Sequence, residues 1–333
     1  MKVVKPIILL FAALILATAV VSLMVGTPFL SGNQLIQVIT GAGKPVEQLI
    51  VSEFRMPRLL ISLIAGACLG VSGYLLQGVT RNELADSSIL GINAGAGFFV
   101  MLYLGFFSQN INALLLPFIA FMGGILASAL VYLTARKHSG QVGMNRLLLA
   151  GIAVNAGLSA LTLLCTIQLS KENYGFVNAW LAGSIWGSSW SNVWSLIPWA
   201  AVLLPIAFLY NRKIPVLSFG QERAQSLGIN VPRSQKILLA VAVALACGSV
   251  AVAGSLSFVG LLSPHAAKLI VKKENSWTCL ISALIGALLV NAADIGARLL
   301  MPSGEIPTGI LIALIGAPYF LYLLFARQKN IFH

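Results

Sequence analysis

Apolar runs of about twenty residues follow one another along almost the whole chain, with only short polar joins. A helix of about 20 residues covers the roughly 30 Å hydrocarbon core of a bilayer. Nine such runs fall near 6–25, 58–79, 88–107, 112–135, 145–169, 191–210, 236–256, 277–299 and 306–326. A tenth apolar piece, 259–271, contains Pro264 and is too short to span comfortably. It is expected as a broken or half-length helix buried in protein. The chain therefore reads as all-α: one polytopic integral membrane domain over residues 1–333 with about ten transmembrane helices.

Charge agrees. Only 9% of residues are charged and 58% are hydrophobic, where a soluble domain carries about 25% charged. The net charge of +12 would suggest nucleic acid on a soluble protein. Here the basic residues sit between apolar runs, so they report topology. With the N-terminus inside, Arg81, Arg136, Lys137, Arg212, Lys213, Arg223, Arg233 and Lys272 fall on the cytoplasmic side. Lys44, Arg55, Arg58, Lys171 and Arg298 fall outside. Both termini are expected in the cytoplasm, with the first run an uncleaved span. The segment 174–190, with Trp180, Trp186 and Trp190, suits an interfacial helix with an aromatic belt. Gly66-x-x-x-Gly70, Gly91-x-x-x-Gly95 and Gly183-x-x-x-Gly187 predict close helix packing.

The longest inside loop, 211–236, is basic and partly apolar. Ser218 with Gln221 predicts a capping box opening a short helix through Leu227, and Gly228 ends it. A plain connector needs neither that length nor caps, so this helix is expected to dock a cytoplasmic partner. On the outer face, Pro57 suits the first turn of a helix, and Arg55 and Arg58 would oppose the positive end of its dipole. That points to an acidic partner. Internal pairing is equally open: Glu53 lies near Arg55, and Asp294 precedes Arg298 by one helical turn.

Other chemistry is missing from the pattern. Thr40–Pro45 imitates a phosphate loop, but Val38 stands where its first glycine belongs and Pro45 where its Ser/Thr belongs. His138, His265 and His333 have no metal-ligand spacing, and Cys68, Cys165, Cys247 and Cys279 match no zinc or redox pattern. Asp294 alone comes near being an intramembrane acid, which argues against an ion-coupled secondary transporter, the rival reading from another class.

The stretch RMPRLLISLIAGACLGVSGYLLQGVTRNELADSSILGINAGAG (55–97) resembles the permeases of ABC importers for iron-siderophores, haem and cobalamin. So do WLAGSIWGSSW (180–190), FGQERAQSLGINVPRS (219–234), FVGLLSPHAAKLI (258–270) and GEIPTGILIALIGAPYFLYLL (304–324). The likeness runs through nearly the whole chain in the family's order. It implies a permease subunit of the bacterial cytoplasmic membrane, surrounded by lipid and working with a second permease. Two cytoplasmic ATPase subunits would dock below and a substrate-binding protein above, with no nucleic acid. ATP and magnesium would sit on the ATPases, so this chain would bind no cofactor and no metal and would itself be no enzyme. Glu222, Ala224 and Gly228 match the family's E-A-A-x-x-x-G coupling pattern, with Arg223 replacing the middle alanine. The expected coupling set is Gln221, Glu222, Arg223, Ala224, Leu227 and Gly228; Arg55, Arg58 and Arg298 match the family's outer docking arginines. The expected cargo is a ferric siderophore, hydroxamate or similar, moved by alternating access; haem or cobalamin is the alternative. The loop from Gln168 to Val177 and the tryptophan-rich segment after it are expected near the pore mouth. Where the family reads N-P-L-A-D-P, this chain has Asn82-Glu83-Leu84-Ala85-Asp86-Ser87, so Asp86 or Ser87 is expected to cap the next helix.

Overall fold

A computed structural model describes residues 4–107, 114–136, 144–167, 169–271, 276–301 and 306–329. The described residues form α1 (Val4–Met24), α2 (Gly32–Ile39), α3 (Pro45–Leu49), α4 (Met56–Thr80), α5 (Ile92–Phe106), α6 (Leu116–Ala135), α7 (Met144–Thr166) and α8 (Lys171–Leu181). They continue with α9 (Trp190–Tyr210), α10 (Ile214–Ser218), α11 (Gln221–Ser226), α12 (Val231–Ala253), α13 (Val259–Val271), α14 (Ser276–Leu300) and α15 (Thr308–Lys329). No strand occurs among them.

Among the described residues, seven helical runs are long and apolar enough to cross a membrane, and α5, α13 and the apolar part of α15 are shorter. These ten correspond one for one to the ten apolar segments of the sequence, and the chain is an all-α, multi-pass membrane protein. The short tenth segment is α13, thirteen residues with Pro264 inside and Val259 to Pro264 all buried. Its backbone is shielded by protein, which is what permits a half-length helix at membrane depth.

The core is built around α4. Of the most apolar stretch of the run Pro45–Thr80, 78% is buried, against 11% for α1 and 17% for α7. The packing of α4 on α14 follows a four-residue rhythm. Ser62 Oγ donates to Asn291 Oδ1 at 3.2 Å. A Cβ on Gly66 would strike the carbonyl of Gly286, and one on Gly70 the carbonyl of Ser282. Numbers rise on one helix as they fall on the other, so the two run antiparallel with backbones in contact. Lipid supplies no hydrophobic drive between helices, and small residues instead allow the dispersion contact that holds them. The same device sets α13 against α4, where a Cβ on Gly73 would meet the Gly260 carbonyl, and α5 against α6 at Gly95 and Gly123.

Three local expectations are corrected. The helix expected over 174–190 is α8, which starts at Lys171 on a Ser170 cap and ends at Leu181. Gly183 and Gly187 follow in left-handed conformations, so their spacing serves a turn and not a helix seam. That turn is held by Ser255 N–H to Trp180 O (3.2 Å) and Gly309 N–H to Gly183 O (2.8 Å), and Trp180 is buried core while Trp186 is exposed. The second span does not begin at Pro57. A π-helical turn, Ile50–Arg55, joins α3 to α4, so Arg55 and Arg58 lie inside a continuous helical run and face no helix N-terminus. Ser218 does not cap α11 either: its hydroxyl donates to Pro215 O at 2.7 Å within the one-turn α10, and Gly220 stands at the cap.

Candidate functional site

Three groups of residues stand out, two of them at opposite ends of α4. At its C-terminal end, Ile214 of α10 packs where a Cβ on Gly78 would sit. The loop then turns through Gly220 (φ 110°) into α11. Ala224 is fully buried and pins α11 to the core, while Glu222, Arg223, Gln225 and Leu227 are exposed. The end of α11 is a Schellman motif: Ile229 N–H bonds Ala224 O at 3.1 Å and Gly228 N–H bonds Gln225 O at 2.8 Å, with Gly228 left-handed at φ 81°. Phe219 and Leu227 are both exposed large apolar residues flanking this turn. The result is a short, rigidly terminated helix with one small anchor inside and a mixed charged and apolar face outside.

About 30 Å away, some twenty residues back along α4, lies the arginine cluster. Arg58 Nε donates to Asp294 Oδ1 at 2.8 Å. Arg298 Nη2 stands 2.9 Å from Asp294 Oδ2 outside hydrogen-bond geometry, so that contact is an ion pair only. Asp294 is wholly buried and also accepts from Thr308 Oγ1 at 3.4 Å, which ties in the start of α15. Arg298 Nη1 donates to Ser22 O and Val25 O, each at 2.9 Å. Arg55 donates to Leu23 O at 2.6 Å, Met24 O at 2.9 Å and Pro28 O. The last carbonyls of a helix lack intrahelical partners and carry its negative dipole end. Arg55 and Arg298 therefore cap the end of α1, and Arg55 bonds carbonyls where Glu53 was the expected partner. All three arginines are tied internally, Arg58 and Arg298 to the one carboxylate.

The third group lines a groove of two adjoining cavities, about 390 and 340 Å³, sharing Ala94, Ser159 and Leu181. Asn155, Ser159, Thr162 and Thr166 of α7 lie along it at spacings of four, three and four, a single helix face. Tyr174 and Asn178 of α8 line the second cavity. The expected pore-mouth loop and the tryptophan-rich segment after it thus contribute Tyr174, Asn178 and Leu181; Gln168 is outside the described residues, and Val177 is buried core. Sequence reading assigned no groove residue. The polar stripe within the apolar run of α7 was the available signal.

The turn after α4 lines the first cavity through Ser88 and Ile89. Asp86 caps a 3-10 turn, Ser87–Leu90, accepting from Ser88 N–H at 3.4 Å and Ser88 Oγ at 2.9 Å. Asn155 Nδ2 donates to Ser88 O at 2.7 Å, tying α7 to that turn. Asp86 is buried against Gly260, and burial pushes its carboxyl above the ordinary range despite the bonds from Ser88 and Ser87.

Among the described residues, ten apolar helices around a small-residue core, a short capped helix in the loop after α9 and a polar groove define a polytopic membrane permease. The chain belongs to the FecCD transport family, which it matches over residues 14–326. It is 38% identical over 328 residues to the iron(3+)-hydroxamate import system permease protein FhuG of Bacillus subtilis, covering 96% of this chain and 97% of that one. It is 39% identical to the Fe(3+)-citrate import system permease protein YfmE of the same organism, covering 97% and 96%. Among solved structures, an inward-facing ABC transporter described as metal-chelate type superposes with a TM-score of 0.84 at 30% identity, over 97% of this chain and 99% of the other. PsaBC from Streptococcus pneumoniae, at 0.58 and 16% identity over 86% and 94%, shares the fold alone.

Proposed function

We propose that this chain is the permease subunit of an ABC importer that passes a ferric siderophore into the cytoplasm across the bacterial cytoplasmic membrane. The observation that carries the reading is α11: Ala224 buried, Gly228 closing the helix, and Glu222, Arg223 and Leu227 presented outward. A short helix pinned at one residue and stopped by a rigid cap transmits a push instead of absorbing it. In this reading two ATPase subunits grip α11 and hold ATP and magnesium, while a second permease, identical or homologous, completes the passage. A loaded binding protein docks at the opposite end, over Arg55, Arg58 and Arg298. Those arginines pair internally at rest, so docking would draw on contacts that Asp294 also satisfies. The step is conformational and the hydrolysis belongs to the partner subunits.

The test is vanadate-sensitive ATPase activity in liposomes holding this chain with its candidate partners, with and without loaded binding protein. Stimulation in the native assembly that disappears in Gly228→Trp, with the complex still intact on size-exclusion, supports the reading. A chain that neither retains an ATPase nor responds to any binding protein leaves an uncoupled carrier as the better account.

A further inference from the structure

We infer that the α2–α3 hairpin is a foot seated in the membrane interface, and that the partner of its apolar face is the acyl and carbonyl region of one lipid leaflet. This needs only the membrane fold and not the importer reading. A connection between two spans can stand out in water; the packing of this one says otherwise. Leu30 N–H bonds Met24 O at 3.1 Å, which turns the chain back at the end of α1. Ser31 and Gln34 then close a capping box that starts α2. Leu35 of α2 is buried in one cluster with Leu23, Leu30, Val51 and Leu59, and Ala19, Val38 and Leu63 pack against it. Ala19 lies before the end of α1 and Leu63 past the start of α4, roughly 8 and 10 Å down each helix. So α2 lies alongside the ends of two spans and not above them. That is the depth, about 5–10 Å, at which an amphipathic helix rests in the headgroup boundary.

Helical spacing sorts the rest of α2. Asn33 and Gln37 share one face, and Ile36 and Ile39 share another, beside the buried Leu35. Ile36 is 61% exposed and Ile39 72%, and Val46 and Leu49 of α3 stand open as well. The hairpin satisfies its own polar groups. Gln34 Nε2 donates to Glu47 Oε1 at 2.8 Å, Lys44 N–H to Glu47 Oε2 at 3.3 Å and Gln48 Nε2 to Gly43 O at 3.0 Å. A segment entering lipid has to do this, because acyl chains offer no partners. Two neighbours mark the same plane. The helix on which α2 packs, α1, is only 11% buried over its most apolar stretch, so lipid already covers it. Trp190 Nε1 donates to Ser52 O at 3.0 Å, in the π-helical turn after α3, and its ring stacks on Trp194. Phe54 of that turn is exposed. Aromatic side chains gather at this level of a bilayer. A docking protein would leave Ile36 and Ile39 in water whenever it departed, and lipid does not depart. Asn33 and Gln37 carry no charge, so packing on α1 and α4 holds the foot in place, not attraction to anionic headgroups.

The experiment is spin-label accessibility in the full chain, reconstituted with its co-purifying subunits in liposomes of phosphatidylcholine and phosphatidylglycerol. Cys165, the one cysteine that is not buried, is first changed to serine. Nitroxides are then attached through Ile36→Cys, Ile39→Cys and, as the polar-face control, Gln37→Cys. Oxygen partitions into lipid and a neutral nickel chelate stays in water. Oxygen collision about threefold or more above chelate collision in both isoleucine variants, with the reverse order in Gln37→Cys, supports the lipid seat. Chelate collision equal to or above oxygen in the isoleucine variants puts the hairpin in water and overturns it. Low collision with both reagents there means that protein covers the face, a second permease or a binding protein, and overturns it equally. Where the α2 labels prevent folding, Val46→Cys and Leu49→Cys test the hairpin from α3 by the same outcomes. Failure of the ATPase to respond to any binding protein would sink the importer reading and leave these results standing, since none of them needs ATP.

Discussion

Arg58 Nε and Asp294 Oδ1 meet at 2.8 Å across 236 positions of sequence, joining α4 to α14 at the end where their small-residue seam stops. Below that pair the two backbones touch at Gly66, Gly70 and Gly286. The ion pair and the seam therefore set one register: a slip of one turn along either helix would part the charges and drive side chains into carbonyls.

Removing one charge of this pair leaves the other buried. Asp294→Leu removes the carboxylate that Arg58 and Arg298 share and is expected to lower stability by about 3 kcal/mol or more, while Arg58→Leu with Asp294→Leu costs less than the sum of the singles. Thermal unfolding of the detergent-solubilised chain, run as a double-mutant cycle, measures the coupling. Additive losses would show that the pair contributes nothing as a pair.

The seam makes a separate demand. Gly66→Leu or Gly70→Leu places a side chain on a carbonyl of α14 and is expected to abolish folded, monodisperse protein. Gly157→Leu and Gly175→Leu, where a Cβ meets nothing within 4 Å, are expected to behave as wild type. Size-exclusion profiles of the four variants compare them directly. Equal tolerance at all four positions would remove the close-contact argument.

Gly228 needs its left-handed conformation and has open space around it. The constraint there is backbone alone. Gly228→Asn, which visits that region, is expected to keep binding-protein-stimulated ATPase activity near wild type, and Gly228→Val to lose most of it at a backbone cost of about 1–2 kcal/mol. A valine variant that couples normally would sink the role given to this cap.

Asp86 carries a pH dependence. Burial raises its carboxyl pKa in the folded chain above that of the unfolded chain, about 3.9. Over the interval between the two values the folded state holds the proton and the unfolded state does not, so this contribution is complete below the unfolded value and is lost as pH rises through the folded one. Asp86→Asn retains an acceptor for Ser88 N–H and cannot ionise. Its apparent melting temperature relative to wild type is expected to climb as pH rises above about 4. A relative melting temperature that falls over that range contradicts the assignment.

Much of the fold was open to reading from the chain alone, and particular residues show why. The run 259–271 announced a half-length helix because length and Pro264 are local facts, and α13 is that helix. Gly228 announced a helix end because only its own backbone matters there. Ser218 misled because a capping box is a pattern that two neighbouring turns can each use, and Pro215 offered the nearer carbonyl. Trp180 misled because tryptophan suits an interface and a core equally, and only the neighbouring Ser255 and Gly309 backbones decide between them.

The sequence by itself determined the solvent of this protein, the number of its apolar helices among the described residues and the family to which it belongs. Each of those follows from hydropathy, charge or motif order summed along the chain. Only the tertiary structure decided the partners of Arg55, Arg58 and Arg298, the convergence of Asn93, Asn155 and Ser159 on one groove, and the burial of Asp86. Those depend on which helices lie side by side. That choice rests on backbone contacts at Gly66, Gly70 and Gly73 with carbonyls some two hundred residues away.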